Sequence, residues 1–213
     1  MKNLIPGISA FYRNVFPAHR ARFEELASGQ QPSTLFITCS DSRIVPHLLT
    51  QSDPGDLFVI RNAGNFVPPY PGNGSGEAAT IEYALKVLKV KQIVVCGHSH
   101  CGAIKGALQP ETLRDMPAVA EWVKHAERGR REINDLKFSP DENDDALSTA
   151  IKANVLVQLE HLRTYRDVTE AEGRNELALY GCFYRFETGD VTMYTPENRF
   201  VSVHGLNTDQ LFA

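Results

Sequence analysis

Two short apolar runs, each ending in a cluster of reactive side chains, constrain the fold of this chain more than any other feature. Thr34-Leu35-Phe36-Ile37-Thr38 reads as a buried β-strand and leads straight into Cys39-Ser40-Asp41-Ser42-Arg43. A thiol, a carboxylate and a guanidinium leave that strand end at alternate positions. Ile93-Val94-Val95-Cys96 reads as a second strand, which Gly97 is expected to break, and His98-Ser99-His100-Cys101-Gly102 follows. His98 and Cys101 are three apart, so they share a face if a helix starts there. In an open parallel sheet, ligands bind outside the carboxyl ends of the strands. Two such ends together offer Cys39, His98 and Cys101. Two thiolates and an imidazole are the nitrogen and sulfur donors that suit zinc. Three protein ligands leave the fourth tetrahedral position to water, as catalytic rather than structural zinc sites do.

The bland alternative is a set of buried thiols with a satisfied histidine, which leaves Asp41 and Arg43 beside a core cysteine without a reason. Asp41 has two possible roles. It can be a fourth metal ligand that closes the site. It can instead pair with Arg43, stay ionised, and accept a hydrogen bond from hydroxide on the metal. Cys96 reads as a packed core thiol, and Cys182 as a small buried residue in an aromatic strand. His100 reads as a loop histidine. His19, His47, His125, His161 and His204 lack a partner pattern and read as surface. The glycines between Gly72 and Gly76 lack the Gly-x-x-x-x-Gly-Lys pattern of a phosphate cradle.

The rest of the chain alternates strand and helix. Residues 8–28 carry Phe11, Val15, Phe23 and Leu26 at helical spacing, with Pro17 dividing two helices and Gly29 ending the second. This arm precedes any strand it could cover, so it packs on the sheet or on a second subunit. Strands are predicted at 34–38, 56–60 and 92–96, with helices at 44–50 and 77–89 and a short one near Cys101. The Pro- and Gly-rich stretch 67–76 is a loop. Helices follow at 117–134 and 146–163, around a polar loop at 137–145. Leu177 to Tyr184 is a β run that turns at Gly189 into a return strand, 191–194, and the tail from 196 has no strong pattern. The class is α/β: a mostly parallel central sheet flanked by helices, with an antiparallel C-terminal edge hairpin and an N-terminal helical arm, 1–28. A length of 213 residues suits one domain, 1–213.

Composition removes several classes of function. Net charge is −4 and no basic cluster stands out, so no nucleic-acid partner is expected. Lys124 to Arg131 is interleaved with Glu127 and reads as a solvated helix face. No apolar run approaches the roughly 20 residues that span a bilayer, so no membrane partner is expected. The N-terminus lacks the apolar core of a signal peptide, which points to the cytoplasm. Four cysteines, two of them beside histidine or aspartate, do not form a disulfide framework.

Three stretches together carry a specific resemblance. Cys39-Ser40-Asp41-Ser42-Arg43, Gly55-Asp56-Leu57-Phe58-Val59-Ile60-Arg61-Asn62-Ala63-Gly64-Asn65 and Cys96-Gly97-His98-Ser99-His100-Cys101-Gly102-Ala103 resemble the β-class carbonic anhydrases, in their plant, cyanobacterial and cyanate-operon branch. The likeness runs from Phe11 to Thr195. It implies an enzyme with one zinc ion (Zn2+) per chain that interconverts carbon dioxide and bicarbonate. It implies Cys39, His98 and Cys101 as metal ligands, and Asp41 with Arg43 as a dyad that orients the attacking hydroxide. It also implies a homodimer, often paired into a homotetramer, with the pocket at the subunit interface. Gln30 matches a hydrogen-bond donor to substrate, Phe58 and Tyr83 match pocket walls, and Ala63 and Gly102 match further lining positions. The Gly102 N–H would help hold bicarbonate. In the branch regulated by bicarbonate at a second site, tryptophan stands three residues before the first cysteine ligand. Phe36 stands there in this chain, so that site is not expected. Rival readings are a hydrolase of carbon disulfide or carbonyl sulfide on the same scaffold, a non-catalytic zinc-holding assembly protein, and a thiol redox protein, which the lack of a Cys-x-x-Cys pair disfavours.

Overall fold

Strand β1 (Thr34–Cys39) is buried along its whole length, as its unbroken apolar run requires of a strand covered on both faces. The structure is a computed structural model that describes residues 1–126, 139–142 and 144–205, apart from the Asn73 side chain. Strands β2 (Leu57–Asn62) and β3 (Gln92–His98) flank β1 in parallel. Strand β4 (Ala178–Arg185) continues the parallel sheet beside β3. Strands β5 (Asp190–Tyr194) and β6 (Phe200–Ser202) then add antiparallel to one edge, in the order β2-β1-β3-β4-β5-β6. The expected mixed sheet is thus present, one strand wider than the sequence suggests. With only three residues, β6 is too short to leave an alternating pattern.

Gly97 does not break β3. The strand runs through it to His98, which pairs with Tyr184. The glycine serves packing instead. A Cβ there would lie 2.8 Å from Ile151 Cγ2 and 2.9 Å from Val155 Cγ2. Both belong to the long helix Ala146–Arg163, which packs on β3 and β4. Absence of a side chain lets the helix approach the sheet at the point where the chemistry begins.

That long helix also steadies the loop after β2. Asn154 Nδ2 donates to the Gly64 carbonyl at 3.2 Å. Gln158 Oε1 accepts the Val67 N–H at 2.7 Å. His161 Nδ1 lies 2.8 Å from the Val67 carbonyl. These positions share one helix face. His161 is therefore buried in the fold and not on the surface as the sequence suggests, because its partner is a distant backbone carbonyl. Cys96 and Cys182 are buried as expected, side by side in register on β3 and β4.

The N-terminal arm begins earlier than expected and Pro17 does not interrupt it. Helix α1 (Ile5–Ala10) passes through a π-helical stretch, Phe11–Val15, into α2 (Phe16–Leu26). The Phe16 N–H bonds back to Phe11 O. Pro17 then sits in the first turn of α2, where its missing N–H costs least. No residue of either helix is fully buried. Arg22 anchors the arm, donating to the Pro54 carbonyl at 3.0 Å and to Asp56 at 3.1 Å.

The other expected helices are present with adjusted ends. They are α3 (Pro46–Thr50), α4 (Gly76–Tyr83) with a π-helical extension Ala84–Leu88, α5 (Gly102–Leu108) and α6 (Pro117–Trp122). The long helix is α7, and α8 (Arg166–Gly173) was not anticipated. Only Val168 of α8 is fully buried, too little for an apolar stripe. The part of the predicted helix beyond 126, positions 137, 138 and 143 of the predicted 137–145 loop, and part of the Lys124 to Arg131 face lie outside the described residues. Among the described residues, no helix is long and apolar enough to cross a membrane.

Candidate metal centre

Cys39 is the last residue of β1 and His98 the last of β3, and these strands are neighbours in parallel register. Their ends therefore meet. The chain turns through Ser99 and His100, the latter at φ 55°, and Cys101 caps the start of α5. The ligand atoms of Cys39, His98 and Cys101 lie within 4.8 Å of one another, and all three residues are buried. Among the described residues they form the only such group of three or more potential ligands.

The chemistry of the three side chains fits a bound cation. His98 Nδ1 lies 2.8 Å from the Ser99 carbonyl, so the ring proton sits on Nδ1 and donates there. The lone pair is left on Nε2, which is buried and has no hydrogen-bond partner. Buried polar atoms seldom remain unpartnered, and a metal bond is what this one lacks. Cys39 Sγ accepts the Gly64 N–H at 3.3 Å. A hydrogen bond from the Cys101 thiol, opposed by burial and aided by the Gly64 N–H, holds Cys39 well below the ordinary thiol range. The same contact, with burial, pushes Cys101 up. The two sulfurs thus meet through a thiol proton. Metal binding to thiols displaces such protons, and a Cys2His donor set with an open position suits zinc.

Asp41 and Arg43 stand beside this group. Asp41 Oδ1 accepts the Arg43 backbone N–H at 3.0 Å and its Nε at 2.9 Å, while Oδ2 accepts Nη2 at 2.7 Å. The Arg43 side-chain bonds hold the Asp41 carboxyl far below the usual carboxylate range. Asp41 Oδ2 is 4.0 Å from His98 Nε2. A second guanidinium, which sequence reasoning left without a role, holds the loop that carries the pair. Arg61 Nε donates to the Cys39 carbonyl at 3.0 Å, and Nη2 donates to those of Asp41 at 2.7 Å and Ile44 at 2.9 Å. The one sequence signal for it is an arginine directly after the predicted strand 56–60; that this strand pairs with β1 is a finding of the structure.

A family model for carbonic anhydrase matches residues 34–191. The solved structure of the β-carbonic anhydrase CcaA superposes with a TM-score of 0.87 at 47% identity, covering 95% of this chain and 91% of that one. The chain belongs to the β-class carbonic anhydrases. It is 48% identical over 195 residues to a carbonic anhydrase of Synechocystis, covering 91% of this chain and 71% of that one. It is also similar to the tetrameric β-carbonic anhydrases of Sordaria macrospora, with a TM-score of 0.69 and 33% identity over 90% of this chain and 92% of that one. The reaction of this carbonic anhydrase is the reversible hydration of carbon dioxide to bicarbonate and a proton.

One copy of the carbonic anhydrase unites only part of the pocket read from its sequence. Ala63 adjoins Gly64, whose N–H binds Cys39, and the Ala63 carbonyl accepts the Trp122 indole N–H at 2.8 Å. Gly102 follows the ligand candidate Cys101 and opens α5, with free space where a Cβ would project. Phe58 and Tyr83 meet each other, ring centroids 5.9 Å apart. Phe58, however, pairs with Leu35, four positions before Cys39 and so about 13 Å back along the strand. Gln30 is exposed and precedes the start of β1. Gln30 and Phe58 therefore lie toward the opposite end of the strands from the metal centre of their own chain, with Tyr83 beside Phe58.

Proposed function

We propose that this carbonic anhydrase holds zinc through Cys39, His98 and Cys101, uses Asp41 and Arg43 to orient the nucleophile, and receives Gln30, Phe58 and Tyr83 in each pocket from a second copy of the chain. The observation that carries this reading is the buried, unpartnered His98 Nε2, facing two cysteine sulfurs beside an arginine-gripped carboxylate. Zinc bound there would lower the pKa of water from about 16 toward about 7, which supplies a nucleophile near neutral pH. Asp41 is kept ionised by Arg43, so it accepts hydrogen bonds and never donates them. It selects the O–H of the attacking water and turns the oxygen lone pair toward carbon dioxide. The Gly102 N–H, in the first turn of α5 where backbone donors lack helical partners, holds an oxygen of bicarbonate. Phe58 and Tyr83 offer carbon dioxide an apolar wall, and Gln30 donates to it.

A dimer or tetramer is the working unit of this single-domain chain, 1–213, and the arm 1–28 crosses to the partner. Support comes from the separation of Phe58 from Cys39 along the strands, from the lack of fully buried residues in the arm helices, and from the tetrameric relatives. All four cysteines are free, which suits a carbon–oxygen lyase of the cytoplasm, where thiols stay reduced.

Stopped-flow carbon dioxide hydration with zinc content measured on the same samples tests the assignment. The protein should carry one zinc per chain, and Cys39→Ala or Cys101→Ala should lose both metal and rate. Asp41→Asn should keep zinc and lose roughly a hundredfold in kcat, because its amide can donate where the carboxylate only accepts. A Cys101→Ala protein with full zinc and full rate would refute the ligand set, and a near-normal Asp41→Asn would refute the dyad.

A further inference from the structure

The turn between β4 and β5 lies over the Asp41–Arg43 pair, and nothing in the reaction as described uses it. Phe186, the residue after β4, sets its ring against Arg43, with the guanidinium carbon 4.4 Å from the ring centroid. The same centroid is 6.2 Å from that of His98 and 5.6 Å from that of His100. The turn is tied down on two sides. Ser99 donates its N–H to the Tyr184 carbonyl at 2.9 Å. Its hydroxyl donates to Glu187 Oε2 at 2.6 Å and accepts the Phe186 N–H at 3.3 Å. On the other side, Arg185 Nη2 donates to Asp144 Oδ1 at 3.0 Å. The Asp144 side chain is 1% exposed and is also paired with Lys152, which is 3% exposed. A buried ion cluster and a serine from the metal-ligand motif thus fix where Phe186 stands.

We infer that Phe186 is a positioning residue of the reaction, whose ring holds the Arg43 guanidinium in the plane from which it grips Asp41. The inference rests on the orienting role proposed for the dyad. The Arg43 side chain is 46% exposed, and an exposed ion pair by itself is weak and poorly ordered. A two-pronged grip on one carboxylate needs the guanidinium fixed in both place and plane. Its other tie, from Nη2 to the His100 carbonyl, is long at 3.3 Å. An aromatic face supplies what is missing: its quadrupole attracts the cation, and its flatness sets the orientation. With Asp41 Oδ2 only 4.0 Å from His98 Nε2, a loosened grip lets the carboxylate swing toward the ligand group.

Phe186→Leu keeps an apolar side chain but removes the aromatic face, whereas Phe186→Tyr keeps the face. The readouts are zinc content, kcat and KM from stopped flow, and the NMR signal of the Arg43 Nε–H in selectively labelled protein, with and without zinc. Phe186→Leu should retain zinc, lower kcat about threefold to tenfold, leave KM within about twofold, and broaden the Arg43 signal in both metal states. Phe186→Tyr should restore kcat and the signal, and Phe186→Leu should add nothing to Asp41→Asn. If the leucine protein does not fold, Phe186→Met carries the same comparison. Wild-type kcat and an unchanged Arg43 signal in Phe186→Leu, with Asp41→Asn impaired, overturn this inference alone. Equal impairment of the leucine and tyrosine variants also overturns it, since packing would then suffice. A near-normal Asp41→Asn overturns the dyad and the inference together.

Discussion

Asp41 and Arg43 differ from a surface ion pair because every donor on the near side of the guanidinium has a fixed target. Arg43 reaches both carboxylate oxygens and its own backbone N–H joins them. Arg61 holds the backbone carbonyls of Cys39, Asp41 and Ile44 around them. The consequence for pH can be signed. A carboxyl whose folded pKa is depressed contributes stability that is fully present above its unfolded value, 3.8 for an aspartate. That contribution is lost only as pH falls through the lower folded value. Asp41 should therefore stay ionised from about pH 8 down to about pH 4, and any fall in rate over that range belongs to another group. Carboxyl carbon NMR of Asp41 in the zinc-free protein checks this. A flat chemical shift over the range is expected, and an inflection within it would show that Arg43 does not hold the carboxylate as the geometry implies.

At the scale of elements, the meeting of β3 with α7 decides where His98 ends up. Gly97 allows the contact, with Ile151 and Val155 closing over the space that a Cβ would need. Both neighbours are fully buried, so they have little room to give way. Gly97→Ala should cost about 1–3 kcal/mol through overpacking, and so lower Tm by roughly 2–12 °C for a chain of this size. It should also weaken zinc binding, because the next residue is a proposed ligand. Gly102→Ala is the contrast, since open space surrounds that position and alanine favours helix. Its Tm should stay the same or rise. Thermal melts of the two zinc-free proteins decide the matter, and equal melting temperatures would sink the packing account.

At the scale of the whole molecule, the arm is the part a single copy does not satisfy. Leu4, Ile5, Ile8, Phe11, Tyr12 and Val15 are all exposed large apolar residues. Phe11, Tyr12, Phe16 and Phe23 pack their rings against one another within the arm. An apolar surface of this kind marks an interface. Deleting residues 1–28 should produce monomers or aggregates, with hydration activity lost. Zinc should remain, since Cys39, His98 and Cys101 all belong to one chain. Light scattering behind size exclusion, with metal analysis and stopped flow on the same fractions, reads all three outcomes. A truncated protein of unchanged mass and full activity would remove the arm from the assembly.

The candidate ligand group was legible in the sequence because its information is local. Apolar runs predict β1 and β3, and the donors sit within three residues of each strand end. Donor chemistry then names the metal class without any coordinates. The helices of the arm and α7 were legible for a similar reason, since apolar spacing along a few turns survives in the primary structure. Other features depend on which strands become neighbours, and that leaves no periodic trace. Whether a glycine ends a strand or makes room for a helix depends on Ile151 and Val155, far along the chain. His161 carries no sign that a carbonyl 94 residues away will bury it. Ser99 and Glu187 are 88 residues apart, and only the pairing of β3 with β4 brings the Phe186 turn over Arg43. The sequence by itself determined the donors and their strands, because short-range chemistry and periodicity encode them. Tertiary structure alone decided what holds those donors still, because those contacts form only once the sheet has closed its order.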